Sequence, residues 1–342
     1  TAFSAGTLIV NNNSALGSGT LTISSTALRL SINNGFTIAN AITISGATGV
    51  AGDNLIRVAT GSAATISGPV TINGAPTNGG HFGSTGNSGV LNVLGTITSS
   101  VTVVQRAGTV VYAGGGTGYT TLNANQDTVR VGANNGIATT ATVNLGASAA
   151  ATLDLNGFNQ SLVGVTKGAS AVTIGNSSTT SDSTLTLTGT STFGGIIADV
   201  VGSGSRKVNL TVNGGALTLS AGNTYSGDTT VTGAGTLTFT SSGSVTSPNI
   251  ILSSGTIDVS AYAGAAAVIS SQTLKGKGTV NGTITVQGVL SPGADNSTLG
   301  TMTFNNSLTN AGTANFRIGS SRFLWKTVQV TGIRPEGCRP TC

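Results

Sequence analysis

The chain has 342 residues, of which 7% are charged, 4% are aromatic and 52 are glycine. So few aromatics exclude a conventional globular core, and so many β-branched residues exclude a disordered Gly/Ser linker, which leaves a core of Val, Ile, Leu, Ala and Thr. The net charge of +5 is unevenly placed: residues 319–342 hold Arg322, Lys326, Arg334 and Arg339 against Glu336, whereas 1–318 carry ten basic and eight acidic residues and are nearly neutral.

Strand-sized apolar runs follow one another through the chain. In order they fall at 7–10, 21–23, 42–44, 55–58, 70–72, 90–93, 101–104, 129–131, 143–145, 153–155, 208–212, 229–232, 250–252, 256–259, 283–286 and 302–304. Gly, Asn, Ser and Asp separate them. Within each run apolar and small polar residues alternate, as in Leu185-Thr186-Leu187-Thr188 and Thr236-Leu237-Thr238-Phe239. A period of two buries one face of a strand and wets the other. Helical spacing is absent, and the chain has a single Glu.

Two all-β architectures use such runs. Antiparallel sandwiches need tight Asn-Gly hairpins, and Asn-Gly occurs at Asn34, Asn73, Asn135, Asn156, Asn213 and Asn281. A parallel solenoid needs bends inside each coil, a small-aliphatic interior and an outer surface of Thr, Ser and Asn that stacks on itself. The low aromatic content favours the solenoid, because a sandwich core usually holds a Trp or Tyr anchor. At about 20 to 24 residues per coil the chain makes roughly 14 to 17 coils. At ~4.8 Å per coil the rod is about 65 to 80 Å long. Uncapped end coils would expose bare strand edges that invite end-to-end stacking.

The segment Gly214-Gly215-Ala216-Leu217-Thr218-Leu219-Ser220-Ala221-Gly222-Asn223-Thr224-Tyr225-Ser226-Gly227-Asp228-Thr229-Thr230-Val231, closed by Gly235-Thr236-Leu237, resembles the autotransporter-associated β-strand repeat of bacterial surface proteins. Pieces around it are similar to text that accompanies that repeat: Ala15–Thr22, Leu153–Leu162, and Val289-Leu290-Ser291-Pro292-Gly293 running on to Thr303. The motif positions are Gly214, Leu217, Leu219, Asn223, Tyr225, Gly227, Thr230, Val231, Gly235 and Leu237. The resemblance implies an all-β, right-handed parallel β-helix, exported and displayed on the outer cell surface or released. It also implies a non-enzymatic stalk used for adhesion or scaffolding. Its partners would be glycans or proteins of a host or neighbouring cell, or further copies end to end. The family's C-terminal membrane barrel has no counterpart here, so truncation of a longer polypeptide is expected at both ends. The expected organisation is a β-helix over 1–318 and an atypical tail over 319–342, with the only Trp (Trp325), the only Glu and both cysteines, Cys338 and Cys342. The absence of cysteine before Cys338 suits export through an oxidising compartment.

Solenoids can be enzymes, so each chemical constellation was weighed. The acidic residues of 1–318 are Asp53, Asp127, Asp154, Asp182, Asp199, Asp228, Asp258 and Asp295, no two closer than 17 positions. Stacking could align 154, 182, 199 and 228 for a cation, but isolated turn roles are the expectation. His81 has no metal-ligating company in sequence. Gly114-Gly115-Gly116-Thr117-Gly118 lacks the lysine and helix of a phosphate loop and reads as a turn. Tyr112, Tyr119, Tyr225 and Tyr262 are either sugar-stacking or packing residues, and packing is preferred for Tyr225. Arg206-Lys207 and Lys275-x-Lys277 are solvated turns rather than a nucleic-acid face. No run of apolar residues is long enough to span a bilayer as a helix. The expectation is no catalytic residue, cofactor, metal or nucleic-acid partner. The remaining readings are a self-assembling extracellular filament or sheath subunit and a β-helix that binds or cleaves carbohydrate.

Overall fold

A computed structural model describes residues 2–3, 6–24, 27–45, 53–74, 80–240, 242–262, 266–293 and 300–315. The expectations for the tail, for Trp325, for Cys338 and Cys342 and for Asp295 lie outside the described residues.

The protein is all-β, a parallel β-solenoid of about 13 turns. Every strand-to-strand ladder among the described residues is parallel, and partners lie one coil apart in sequence. Leu21 pairs Ile42, Ile42 pairs Val70 and Val70 pairs Ile97. Three walls run along the stack. One follows the strands Gly6–Val10, Leu28–Ile32, Asn54–Val58 and Gly80–Ser84; the next follows Thr37–Ile38, Ala63–Ile66 and Val90–Val93; the third follows Leu21–Ile23, Ile42–Ile44 and Val70–Ile72.

The alternation seen in the sequence sets the two sides of each wall. Ala64, Leu91, Val110, Val129, Leu153, Ile174 and Ile197 are successive partners and form one buried inward column. On the outside Thr22, Thr43, Thr71, Thr98 and Thr117 are likewise successive partners. Neighbouring polar side chains bond between coils: Asn144 Nδ2 donates to Asn123 Oδ1 at 2.8 Å, and Asn305 Nδ2 to Asn281 Oδ1 at 2.7 Å.

The six Asn-Gly pairs named above make no hairpins. They bend the chain within a coil, where Asn135 and Asn156 take φ of 55° and 51° and Gly35, Gly214 and Gly282 are also left-handed. The coil length is less regular than expected. Partners are 16 residues apart at Thr273 and Val289 but 28 apart at Ile42 and Val70. Long coils, together with a tail outside the described residues, give fewer turns than the expected 14 to 17.

One corner explains a run of glycines. A Cβ on Gly68 would lie 2.1 Å from Asn40 O, one on Gly95 would lie 1.9 Å from Gly68 O, and one on Gly114 would lie 2.2 Å from Gly95 O. Successive coils approach too closely there for any side chain.

Removing part of the inner column should cost far more than trimming the outer wall. Leu153→Ala should lower stability by about 2–5 kcal/mol through lost burial and the cavity left behind. Its neighbour Thr152→Ala should cost under about 1 kcal/mol. Chemical denaturation followed by circular dichroism would measure both, and equal losses would contradict the assignment of inner and outer faces.

Candidate functional site

The motif residues converge on the wall of the solenoid rather than on an open cleft. Leu217, Leu219, Val231 and Leu237 are fully buried in the column, and Thr230 is half-buried on the outside. Gly214 turns the chain at φ 77°. A Cβ on Gly227 would lie 2.2 Å from Val208 O, and one on Gly235 would lie 2.9 Å from Thr232 O, so both are close-approach positions. Tyr225 is buried, and its hydroxyl shares a hydrogen bond of 2.6 Å with Thr229 Oγ1, which is 2.5 Å from Ser247 Oγ. Burial pushes the Tyr225 phenol up to about 12, with Thr229 and Ser247 opposing the rise.

Asn223 has the most structural consequence. Its Oδ1 accepts from Ile197 N at 2.9 Å, and its Nδ2 donates to Ala221 O at 2.9 Å and to Ser244 O at 3.0 Å. Here the chain has left strand geometry, and the amide supplies bonds that a neighbouring strand would otherwise make. The same device recurs. Gln160 accepts from Ile137 N and donates to Ile137 O; Asn176 accepts from Gly157 N and donates to Ser181 O; Gln272 donates to Val245 O and Ser247 O. Gln105 donates to Gly108 O and Thr128 O, and Asn40 to Gly17 O and Gly19 O.

Sequence reading singled out Asn223 and missed the other five. A signal was present for three of them. Gln105, Gln160 and Asn176 occupy inward positions of the two-residue alternation, where a polar amide is out of place unless it serves the backbone.

The described aspartates are not gathered. Asp53 accepts from Arg29 Nε at 2.5 Å and from Arg57. Burial alone would raise its pKa, but the hydrogen bonds of Arg57, Asn54 N and Arg29 outweigh it and hold the carboxyl below the usual range. Asp127 accepts from Gly108 N, and Asp154 from Arg130 Nε at 2.7 Å and from Asn156 N and Ser177 N. Asp182 pairs with Arg206 at 2.9 Å and accepts from Lys207 N. Asp199 accepts from Val208 N and Ser226 N, Asp228 from Asn249, and Asp258 from Ser260. Asp182 and Asp199 thus accept from the adjacent amides of Lys207 and Val208, whereas Asp154 and Asp228 serve other turns. No group of three or more metal-ligating side chains occurs among the described residues.

Tyr112 and Tyr119 are also buried, so neither can stack on an external sugar. Phe82 meets the edge of Tyr112 at 6.4 Å, and Tyr119 accepts a bond from Ala138 N. Tyr262 packs half-buried against the core. The glycine run 114–118 is only in part the expected turn: Gly116–Thr117 is a short strand paired with Ile97 and Thr98, and a Cβ on Gly116 would strike the Tyr119 ring at 2.5 Å. Among the described residues no helix is long and apolar enough to cross a membrane.

His81 is fully buried. Val104 N donates to its Nδ1 at 3.1 Å, which fixes the tautomer that donates from Nε2 to Gly74 O at 3.0 Å. Burial lowers its pKa to about 4, with the Gly74 bond opposing.

No family model, curated protein or solved structure matches this chain.

Two outcomes follow for these groups. Asn223→Leu leaves buried Ile197 N without its acceptor and takes one donor each from Ala221 O and Ser244 O, which keep the N–H groups of Ser244 and Asn223, and it should cost about 1–3 kcal/mol, measured by denaturation. For His81 the unfolded side chain, with a pKa of about 6.5, takes up its proton before the folded one does. Its stabilising contribution is complete above that pH and is lost as pH falls toward 4, by about 3 kcal/mol. Unfolding curves at pH 7 and pH 4.5 should show this loss in the wild type and much less of it in His81→Gln.

Proposed function

We propose that the protein is a non-enzymatic, exported scaffold: a rigid stalk of the autotransporter-passenger type, displayed at the outer surface of a bacterial cell or released from it. The observation that carries this reading is the use made of the polar side chains. Each described aspartate, the histidine and the buried amides hold turns or neighbouring coils together, while the outer walls present Thr, Asn and Ser. Such a wall can meet glycans or proteins through many weak hydrogen bonds. The resemblance of residues 214–237 to the autotransporter-associated repeat supports export, and the absence of cysteine before Cys338 is compatible with it.

The reading is tested by negative-stain electron microscopy of the purified protein and by incubation with a panel of acidic and neutral polysaccharides. Separate rods about 60 Å long, from ~4.8 Å per coil, with no release of sugar, are expected. Cleavage abolished by Asp154→Ala would overturn the scaffold reading. Long fibres of uniform width would replace the stalk with a filament subunit.

A further inference from the structure

The second wall is interrupted. Its eight-stranded sheet ends at Ile196–Val200, and strands resume only at Ala266–Val268, which begins a new three-stranded sheet. In the two coils between, the described wall consists of non-strand segments joined by one isolated bridge, Gly222 to Ser244. Gln272 spans part of the gap through Nε2, which donates to Val245 O at 2.8 Å and to Ser247 O at 3.0 Å.

Behind this interruption the core is hollow. A cavity of about 310 Å³ is lined by Phe239, Ile250, Ile257, Val268, Leu274 and Ile284, among others, and it is partly open. The other two walls also change sheet once, the first between Gly164–Lys167 and Ser191–Phe193 and the third between Gly116–Thr117 and Gln160–Leu162, but here the gap borders the partly open cavity, whose lining includes residues 243–246 and 266–268. Ile269 lines this opening and is 47% exposed, one of five large apolar side chains left in solvent among the described residues.

The lining decides the chemistry. It contains no charged residue, and none of its side chains has a buried polar atom without a partner. Thr246 Oγ1 is spent on Tyr225 O, and both ends of the Gln272 amide are bonded. Apart from the hydroxyls of Ser244 and Tyr262, water inside would find no side-chain group to hold it, and an ionised ligand would lose its hydration without compensation. Close-packed interiors do not otherwise keep a space of this size.

We propose that this cavity is a binding site for a small uncharged hydrocarbon of one- or two-ring size, admitted through the interrupted wall past Ile269. The site does not depend on the stalk reading: a passive scaffold or a filament subunit could carry it equally.

The test uses the neutral fluorescent probe N-phenyl-1-naphthylamine with the full chain. A saturable rise in fluorescence at one probe per chain is expected. Val268→Trp fills the space from its inward position and should weaken probe binding by about tenfold or more, with Tm unchanged or raised. The same change at Val165, a fully buried position paired with Val143 and outside the cavity lining, should lower Tm sharply by overpacking. Ile257→Phe is the milder second variant and should weaken binding while keeping the fold. Absence of saturable binding to the wild type would overturn the proposal. So would unchanged affinity in a folded Val268→Trp or Ile257→Phe. A loss of Tm in Val268→Trp equal to that in Val165→Trp would show that there is no space to fill, and would overturn it as well.

Discussion

The structure depends on the main-chain hydrogen bonds between one coil and the next. In a parallel stack alternate residues bond upward and downward, so each interior strand needs a neighbour on both sides at a fixed register. Once that register is set, like positions lie above like positions over many turns. Leu91, Val110, Val129 and Leu153 make an inner column, and Thr43, Thr71 and Thr98 make an outer one. The low charge of the chain follows from the same constraint. A charged side chain repeated at every coil would stand within about 5 Å of its own kind, whereas Thr and Asn can bond to their copies.

Ladders cannot continue around corners, and the corners are where the chain's unusual residues are found. Glycine occupies 68, 95 and 114 because one coil's carbonyl fills the space of the next coil's Cβ. Buried amides at 40, 105, 160, 176, 223 and 272 take over the backbone bonds lost where strand geometry ends. Their amides bond mainly to main-chain groups, with Gln105 Oε1 left buried and unpartnered. The interrupted second wall is the exception in kind: there the amides hold the edges, and an apolar hollow lies between them.

The fold was legible from the period of two and from composition. Short runs such as Leu21–Ile23, Ile42–Ile44 and Val70–Ile72 stand where the alternation put them. Other strands were not read. Leu28–Ile32 alternates cleanly but carries Arg29, whose charge is absorbed by Asp53 one coil later. Gly80–Ser84 is buried on both faces and so has no alternation to read. Coil length was not legible either, since paired strands keep their register whether 28 residues separate the partners, as at Ile42 and Val70, or 16, as at Thr273 and Val289. Of the candidate site, the motif residues were found by their pattern, but the partners of Asn223 were not. Its acceptor and donor groups lie on Ile197, Ala221 and Ser244, and only stacking brings them together.

The central claim is that each interior strand is bonded to a coil on both sides, and amide hydrogen exchange resolved by residue tests it most directly. In Val208–Asn213, flanked by Ser183–Leu187 and Thr229–Thr232, the inward Leu210 and the outward Thr211 should both exchange orders of magnitude more slowly than free peptide. Protection of every second amide only, as in a strand paired on one side, or rapid exchange throughout the segment, would contradict it.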